Sequence, residues 1–149
     1  MDQFRALIVD DEEDFLVTLV NRLNKRNIET TGAKSAEEAL ELIKKKIFDV
    51  VVMDIKMPGG MDGIEALREI KKIQPIAEVI LLTGHGSVET SIEGMKLGAF
   101  DYLLKPVKLE DLIPKMAQAF EKKSSHEQKI RSARIKDLMR SPLRVLDEK

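Results

Sequence analysis

The segment Asp49-Val50-Val51-Val52-Met53-Asp54 opens the stretch DVVVMDIKMPGGMDG (residues 49–63), and its reading decides the fold. Three β-branched residues and a methionine stand together between two acids. Unbroken apolarity over so short a run predicts a strand covered on both faces, as in a parallel sheet. The strand is expected over Asp49–Met53, with Asp54 at its carboxyl end. Three further runs of this kind are Arg5–Val9 (RALIV), Glu78–Leu82 (EVILL) and Phe100–Leu104 (FDYLL). Asn27–Thr31 (NIETT) is more polar and is expected to be an edge strand.

Between the strands lie helical patterns. Leu16, Leu19, Val20 and Leu23 recur at spacings of three and four, as do Ile64, Leu67 and Ile70. Ser35 and Glu38 form a capping box ahead of Ala39, Leu40 and Ile43. Ser87 can cap a helix that stops at Gly98, and Leu109–Phe120 forms the last helix. Pro114 lies inside that helix and is expected to kink it or delay its start. Five strands and five helices in strict alternation predict an α/β domain, a doubly wound parallel sheet with right-handed crossovers.

The chain has 149 residues, 43% hydrophobic and 34% charged, which suits a single domain. It has no cysteine, so disulfide and zinc-thiolate chemistry are excluded, and its two histidines, His85 and His126, cannot build a histidine-rich metal site. Neither a signal peptide nor a membrane span is legible, and a cytoplasmic location is expected. The net charge of −1 hides an asymmetry: residues 1–120 carry 16 Lys/Arg against 21 Asp/Glu, and residues 121–149 carry 9 against 5. The domain is expected over 1–120. Beyond Glu121, Ile130, Ala133, Ile135, Leu138 and Met139 scatter around a helical wheel, and Ser141-Pro142 ends any helix there. Residues 121–149 read as a basic, partly helical tail or linker. That tail is too short for an independent helix-turn-helix core, so direct nucleic-acid binding is not expected.

Ligands of open α/β sheets bind outside the carboxyl ends of the strands, at the switch point of strand order. Here the first strand ends in Asp10-Asp11, the third in Asp54, the fourth in Thr83 and the fifth in Lys105-Pro106. In an order 2-1-3-4-5 the first and third strands are neighbours, and Asp10, Asp11 and Asp54 face one another. Clustered carboxylates repel unless a cation offsets them, and Mg2+ is the natural hard ion for oxygen ligands. Metal, lysine and hydroxyl together suit phosphoryl transfer, whose charge spreads over three equatorial oxygens. The nucleophile would be a carboxylate, forming an acyl phosphate. Taken singly, Asp10-Asp11 could cap a helix and Lys105 could pair with any acid. Their convergence on one rim is what the bland readings do not explain.

The strings LIVDDE (7–12), DVVVMDIKMPGGMDG (49–63), LLTGHG (81–86) and DYLLKP (101–106) together resemble a response-regulator receiver domain, over about residues 4–120. The resemblance implies a flavodoxin-like (β/α)5 fold with strand order 2-1-3-4-5. It implies Asp54 as phospho-acceptor, with Asp11, Asp54 and the Lys56 carbonyl as Mg2+ ligands and Asp10 acting through a metal-bound water. Thr83 and Lys105 would engage the phosphoryl group, Tyr102 would turn inward as Thr83 moves, and the Lys105-Pro106 bond would be cis. Gly84 and Gly86 would let their loop rearrange. The donor would be a sensor histidine kinase or a histidine phosphotransfer protein. The output would be the surface of the fourth helix, fifth strand and fifth helix, open to a downstream protein or a second copy as a homodimer. Such a domain is a phosphorylation-controlled signalling module rather than an enzyme, apart from assisting its own phosphorylation and dephosphorylation. The family also places effector domains after such linkers. A stand-alone receiver is the expectation here.

One departure stands out. Met57-Pro58-Gly59-Gly60-Met61-Asp62-Gly63 carries one residue more than the family pattern between Met-Pro and Met-Asp-Gly, and the adjacent glycines are expected to absorb it locally. The rival enzyme class, an aspartate-nucleophile phosphatase of the haloacid dehalogenase type, uses Asp-x-Asp after the first strand, which Asp54-Ile55-Lys56 lacks. A flavodoxin-like cofactor binder would need a Ser/Thr/Gly-rich phosphate loop after strand one, where this chain has Asp-Asp-Glu-Glu-Asp.

Overall fold

Apolar strand segments and amphipathic helices alternate along the chain in the computed structural model, which describes residues 3–84 and 88–140. The order is β1 (Arg5–Val9), α1 (Glu13–Lys25), β2 (Glu29–Ala33), α2 (Ala36–Lys45), β3 (Val50–Asp54), α3 (Gly63–Ile73), β4 (Glu78–Thr83), α4 (Val88–Lys96), β5 (Asp101–Leu104) and α5 (Leu109–Arg140). The five strands are parallel and lie in the order β2-β1-β3-β4-β5. The doubly wound sheet and the edge position of β2 agree with the sequence reading, but β5, expected to be covered on both faces, is the other edge strand, with Tyr102 and Leu104 exposed. The expected helix cap at Ser87, together with His85, Gly86 and Ser141-Pro142, lies outside the described residues.

The alternation of side chains along each strand divides the core in two. Leu7, Val9, Val51, Met53, Val79 and Leu81 face α2, α3 and α4. Ala6, Ile8, Val50, Val52, Ile80 and Leu82 face α1 and α5, where they meet Leu16, Leu19, Leu23, Leu112 and Met116. Both faces of β3 and β4 are therefore dry, which is why their sequences show no polar alternation.

The helix ends follow local chemistry. Ser35 caps α2 by accepting the Glu38 N–H at 3.1 Å, while the Glu38 carboxylate accepts the Lys34 N–H at 3.2 Å. Asp62 caps α3 through the Glu65 N–H at 2.9 Å. Strand β2 begins later than expected, because Asn27 takes a left-handed turn with φ 66° and is not extended. The Asn24 side chain then clasps the backbone of Thr30 through both its oxygen and its amide, satisfying polar groups on an edge strand.

Helix α5 begins at Leu109 and includes Pro114 without a break, so the proline does not delay its start. Its buried residues, Leu112, Met116, Ala119 and Lys123, are spaced four, three and four apart. Lys123 is only 5% exposed. Its Nζ donates to Asp49 at 2.7 Å and to Glu127 at 2.8 Å, and Asp49 also accepts the Arg5 N–H. Burial pulls the Lys123 pKa down, but those carboxylates hold it above its ordinary value. With the stacked rings of Phe4 and Phe120, this contact fixes the point where α5 leaves the sheet. From there to Arg140 the helix is almost entirely exposed.

Core and extension should respond differently to truncation. Leu67→Ala, at a fully buried site, is expected to cost about 2–5 kcal/mol in urea unfolding. Ile130→Ala, on the exposed part of α5, should stay within about 0.5 kcal/mol of wild type.

Candidate functional site

The strand order makes β1 and β3 neighbours, paired with Val9 level with Met53. Asp10 and Asp54 follow these residues and meet at the carboxyl rim of the sheet. Asp10 is wholly buried, Asp54 is 7% exposed and Thr83 is 3% exposed, all unusual for polar residues at strand ends. Strand β5 lies at the sheet edge, separated from β3 by β4. Its Lys105 N–H bonds the Thr83 carbonyl at 2.8 Å. The long lysine side chain reaches across the rim, and its Nζ stands 2.7 Å from Asp10 Oδ2 and 3.1 Å from Asp54 Oδ2. The Lys105-Pro106 peptide bond is cis.

Each carboxylate has a second anchor. Asp10 Oδ1 accepts the Glu12 N–H at 2.9 Å, and Asp54 Oδ1 accepts the Lys56 N–H at 3.2 Å. Asp11 is exposed, yet oxygens of Asp10, Asp11 and Asp54 come within 4.8 Å of one another. An all-oxygen, strongly anionic donor set of this size fits a hard divalent cation and no soft one. The Lys56 side chain points to solvent.

The electrostatics follow from burial. Loss of water raises the Asp54 pKa, and the Asp10 charge adds to that rise. The Lys105 ammonium and the Lys56 N–H offset only part of it. Burial opposes the charge on Lys105, but its bonds to Asp10 and Asp54 outweigh this and raise its pKa. Lys105 is therefore a fixed positive charge over the whole physiological range.

Other expected residues stand apart from this cluster. The Thr83 hydroxyl donates to the Gly84 carbonyl at 3.2 Å rather than to a carboxylate. Tyr102 on β5 is 42% exposed. Three neighbours were not singled out from sequence. The Phe15 ring lies under the Lys105 ammonium, 4.8 Å from ring centre to Nζ. Glu12 stands 3.5 Å from the same nitrogen. Gly63 packs so closely against the rim that a Cβ there would lie 2.5 Å from the Asp54 carbonyl oxygen and 2.7 Å from the Ile55 Cα. An acid at a helix N-cap and an aromatic three residues on carry no pattern of their own, so only tertiary structure reveals Glu12 and Phe15.

Four strand ends bring carboxylates, a hydroxyl and an ammonium to one rim of a 2-1-3-4-5 doubly wound sheet. The chain belongs to the response regulator receiver domains of two-component systems, whose family model matches residues 6–117. It is 38% identical over 111 residues to the transcriptional regulatory protein ZraR of Escherichia coli, covering 74% of this chain and 25% of that one. It is 37% identical over 119 residues to the response regulator protein PilR of Pseudomonas aeruginosa, covering 80% of this chain and 26% of that one. The crystal structure of a response regulator receiver domain protein from Clostridium thermocellum superimposes with a TM-score of 0.77 at 40% identity. That match covers 81% of this chain and 97% of the other. The chain thus spans about a quarter of the length of these two curated relatives. No helix among the described residues is long and apolar enough to cross a membrane.

Two stability effects follow. Gly63→Ala must push backbone against backbone and is expected to cost about 1–3 kcal/mol, read from thermal unfolding. The folded state holds the Asp54 proton more tightly than the unfolded chain does. Its charged carboxylate therefore lowers stability at neutral pH, and the penalty fades as pH falls through the raised pKa and is gone below about 3.8. Asp54→Asn should raise the Tm of the metal-free protein at pH 7, by a margin that shrinks with acidification.

Proposed function

We propose that Asp54 accepts a phosphoryl group from a sensor histidine kinase or a histidine phosphotransfer protein. The observation that carries this reading is the meeting of Asp10, Asp11, Asp54 and the Lys105 ammonium at one rim. An Asp54 carboxylate oxygen attacks phosphorus. An O–P bond forms, the P–N bond of the phosphohistidine breaks, and the departing imidazole nitrogen keeps the electron pair and takes a proton from solvent. Asp11, Asp54 and the carbonyl of Lys56 would hold Mg2+ directly, with Asp10 joined through a water. Bound there, Mg2+ supplies positive charge to the oxygens of the transferring group. Lys105 is already at Asp54 and engages the same oxygens without moving far.

The added charge and acceptor oxygens then draw Thr83 away from the Gly84 carbonyl. Tyr102, outward in this state, fills the space that the threonine leaves. The affected surface is α4, β5 and α5, where Ile92, Met95, Tyr102 and Leu104 are all exposed. A downstream protein or a second copy of the chain binds there in the phosphorylated state, as a shift between pre-existing populations. Relatives named as transcriptional regulators favour an output in transcription, through a larger regulator, over a stand-alone receiver. The domain works in the cytoplasm as a signalling module, with no turnover of an external substrate.

The reading is tested by incubating wild type and Asp54→Asn with acetyl phosphate and Mg2+ and measuring intact mass. One phosphoryl group on wild type and none on Asp54→Asn is expected. Equal incorporation into both, or none into either, contradicts the assignment. The chain has one tyrosine and no tryptophan, so its intrinsic fluorescence reports on Tyr102 alone. Phosphorylation should change that signal in wild type and leave it nearly unchanged in Thr83→Ala, which is still phosphorylated.

A further inference from the structure

The loop between β3 and α3, residues 56–62, carries the extra residue of Gly59-Gly60. It is tied down at three places. Met57 is buried in the core beside α2 and α3. The Gly63 N–H closes the base of the loop on the Ile55 carbonyl at 2.9 Å. Near its far end, the Met61 N–H donates to Glu37 Oε2 at 3.1 Å. Glu37 belongs to the first turn of α2, so this last tie comes from a different helix.

The same carboxylate explains the second glycine. A Cβ on Gly60 would stand 2.7 Å from Glu37 Oε2 and 3.2 Å from Oε1, so any larger residue would force the carboxylate to shift. Gly59 does something else: it takes φ +91° and makes the turn. The Met61 N–H, with the residue's own backbone, holds the Glu37 pKa below its ordinary value, so the acceptor is charged at neutral pH.

We propose that Glu37 is a positioning residue of the phosphoryl-accepting site, latching the enlarged loop to α2 so that Lys56 presents its backbone carbonyl to Mg2+. This inference rests on the reading of Asp54 and its metal site given above. Its physical basis is entropic. A loop with two adjacent glycines samples many conformations, and a group offered from it must be ordered when the metal binds. A latch formed on folding moves that cost out of the binding step. Ile55 and Met57, on either side of Lys56, are buried in the core. Losing Glu37 therefore loosens the loop and leaves the fold intact.

The test is Mg2+ affinity by titration calorimetry on wild type, Glu37→Ala, Glu37→Gln, Gly60→Ala and the double variant Glu37→Ala/Gly60→Ala. Phosphorylation rates with acetyl phosphate are measured over a range of Mg2+ concentrations alongside. Loss of one hydrogen bond of this kind predicts Mg2+ binding weakened roughly two- to tenfold in Glu37→Ala. The phosphorylation rate should fall at low Mg2+ and recover at saturation. Glu37→Gln keeps an oxygen for the Met61 N–H and should remain near wild type. Gly60→Ala, which displaces the carboxylate, should weaken binding no more than Glu37→Ala, and the double variant should be no worse than Glu37→Ala. Unchanged affinity in Glu37→Ala overturns the latch. So do additive losses, and so does a Gln variant as weak as Ala, which would put the effect on helix charge. Wild type that is phosphorylated while all affinities agree removes the latch and spares the Asp54 reading. Wild type that binds Mg2+ in the expected pattern but takes no phosphoryl group removes the Asp54 reading instead.

Discussion

Lys105 holds its ammonium between two carboxylates at the rim of the sheet, 2.7 Å from Asp10 and 3.1 Å from Asp54, with the Phe15 ring beneath it. Two acids with so little contact with water are tolerated only when paired, and removing one partner leaves the other uncompensated. Several features of the fold serve that pairing. The strand order sets Asp10 beside Asp54, and the edge position of β5 puts the lysine a full strand away. A side chain of lysine's length is needed to cross that gap. The balance is incomplete, since the Asp54 pKa remains raised by burial. Under the proposed function, a divalent ion beside Asp54 would supply the charge that offsets this loss of solvation.

Much of this was legible in the sequence, for a definite reason. Strands dry on both faces announce themselves as short apolar runs, and a parallel sheet delivers all their carboxyl ends to one side. Reading the residue that follows each run therefore amounts to reading the rim. Asp10, Asp11, Asp54 and Thr83 come from that rule, while Lys105 follows an apolar run whose strand is half-exposed at the sheet edge. Strand β2 was displaced by two residues, because Asn27 turns left-handed and Asn24 takes over the first backbone bonds of the edge strand. Both effects depend on the turn and leave apolar periodicity untouched. Phe15, Glu12 and Glu37 were invisible because each acts through a contact between distant elements, and Gly63 because its close approach to the end of β3 appears only once the loop is folded.

The two ends of the molecule illustrate the same limit. At the rim, the extra residue of the β3–α3 loop showed in the sequence, but the Glu37 carboxylate seated on Gly60 did not. At the opposite end, periodicity faded after Phe120 while the helix continues to Arg140. A buried lysine bonded to Asp49, just ahead of β3, anchors that continuation, and an apolar pattern cannot register a buried lysine. Asp49 and Asp54 thus bracket the same strand. One ties α5 to the sheet, and the other is the centre of the rim.

The claim on which the account turns is that the acyl phosphate forms on Asp54 and on no other acid of the cluster. Borohydride reduction of the phosphorylated protein converts an aspartyl phosphate to homoserine, which peptide mass spectrometry locates. The account predicts homoserine at position 54 alone, dependent on Mg2+. Homoserine at position 10 or 11, or phosphorylated protein that yields none, would contradict it.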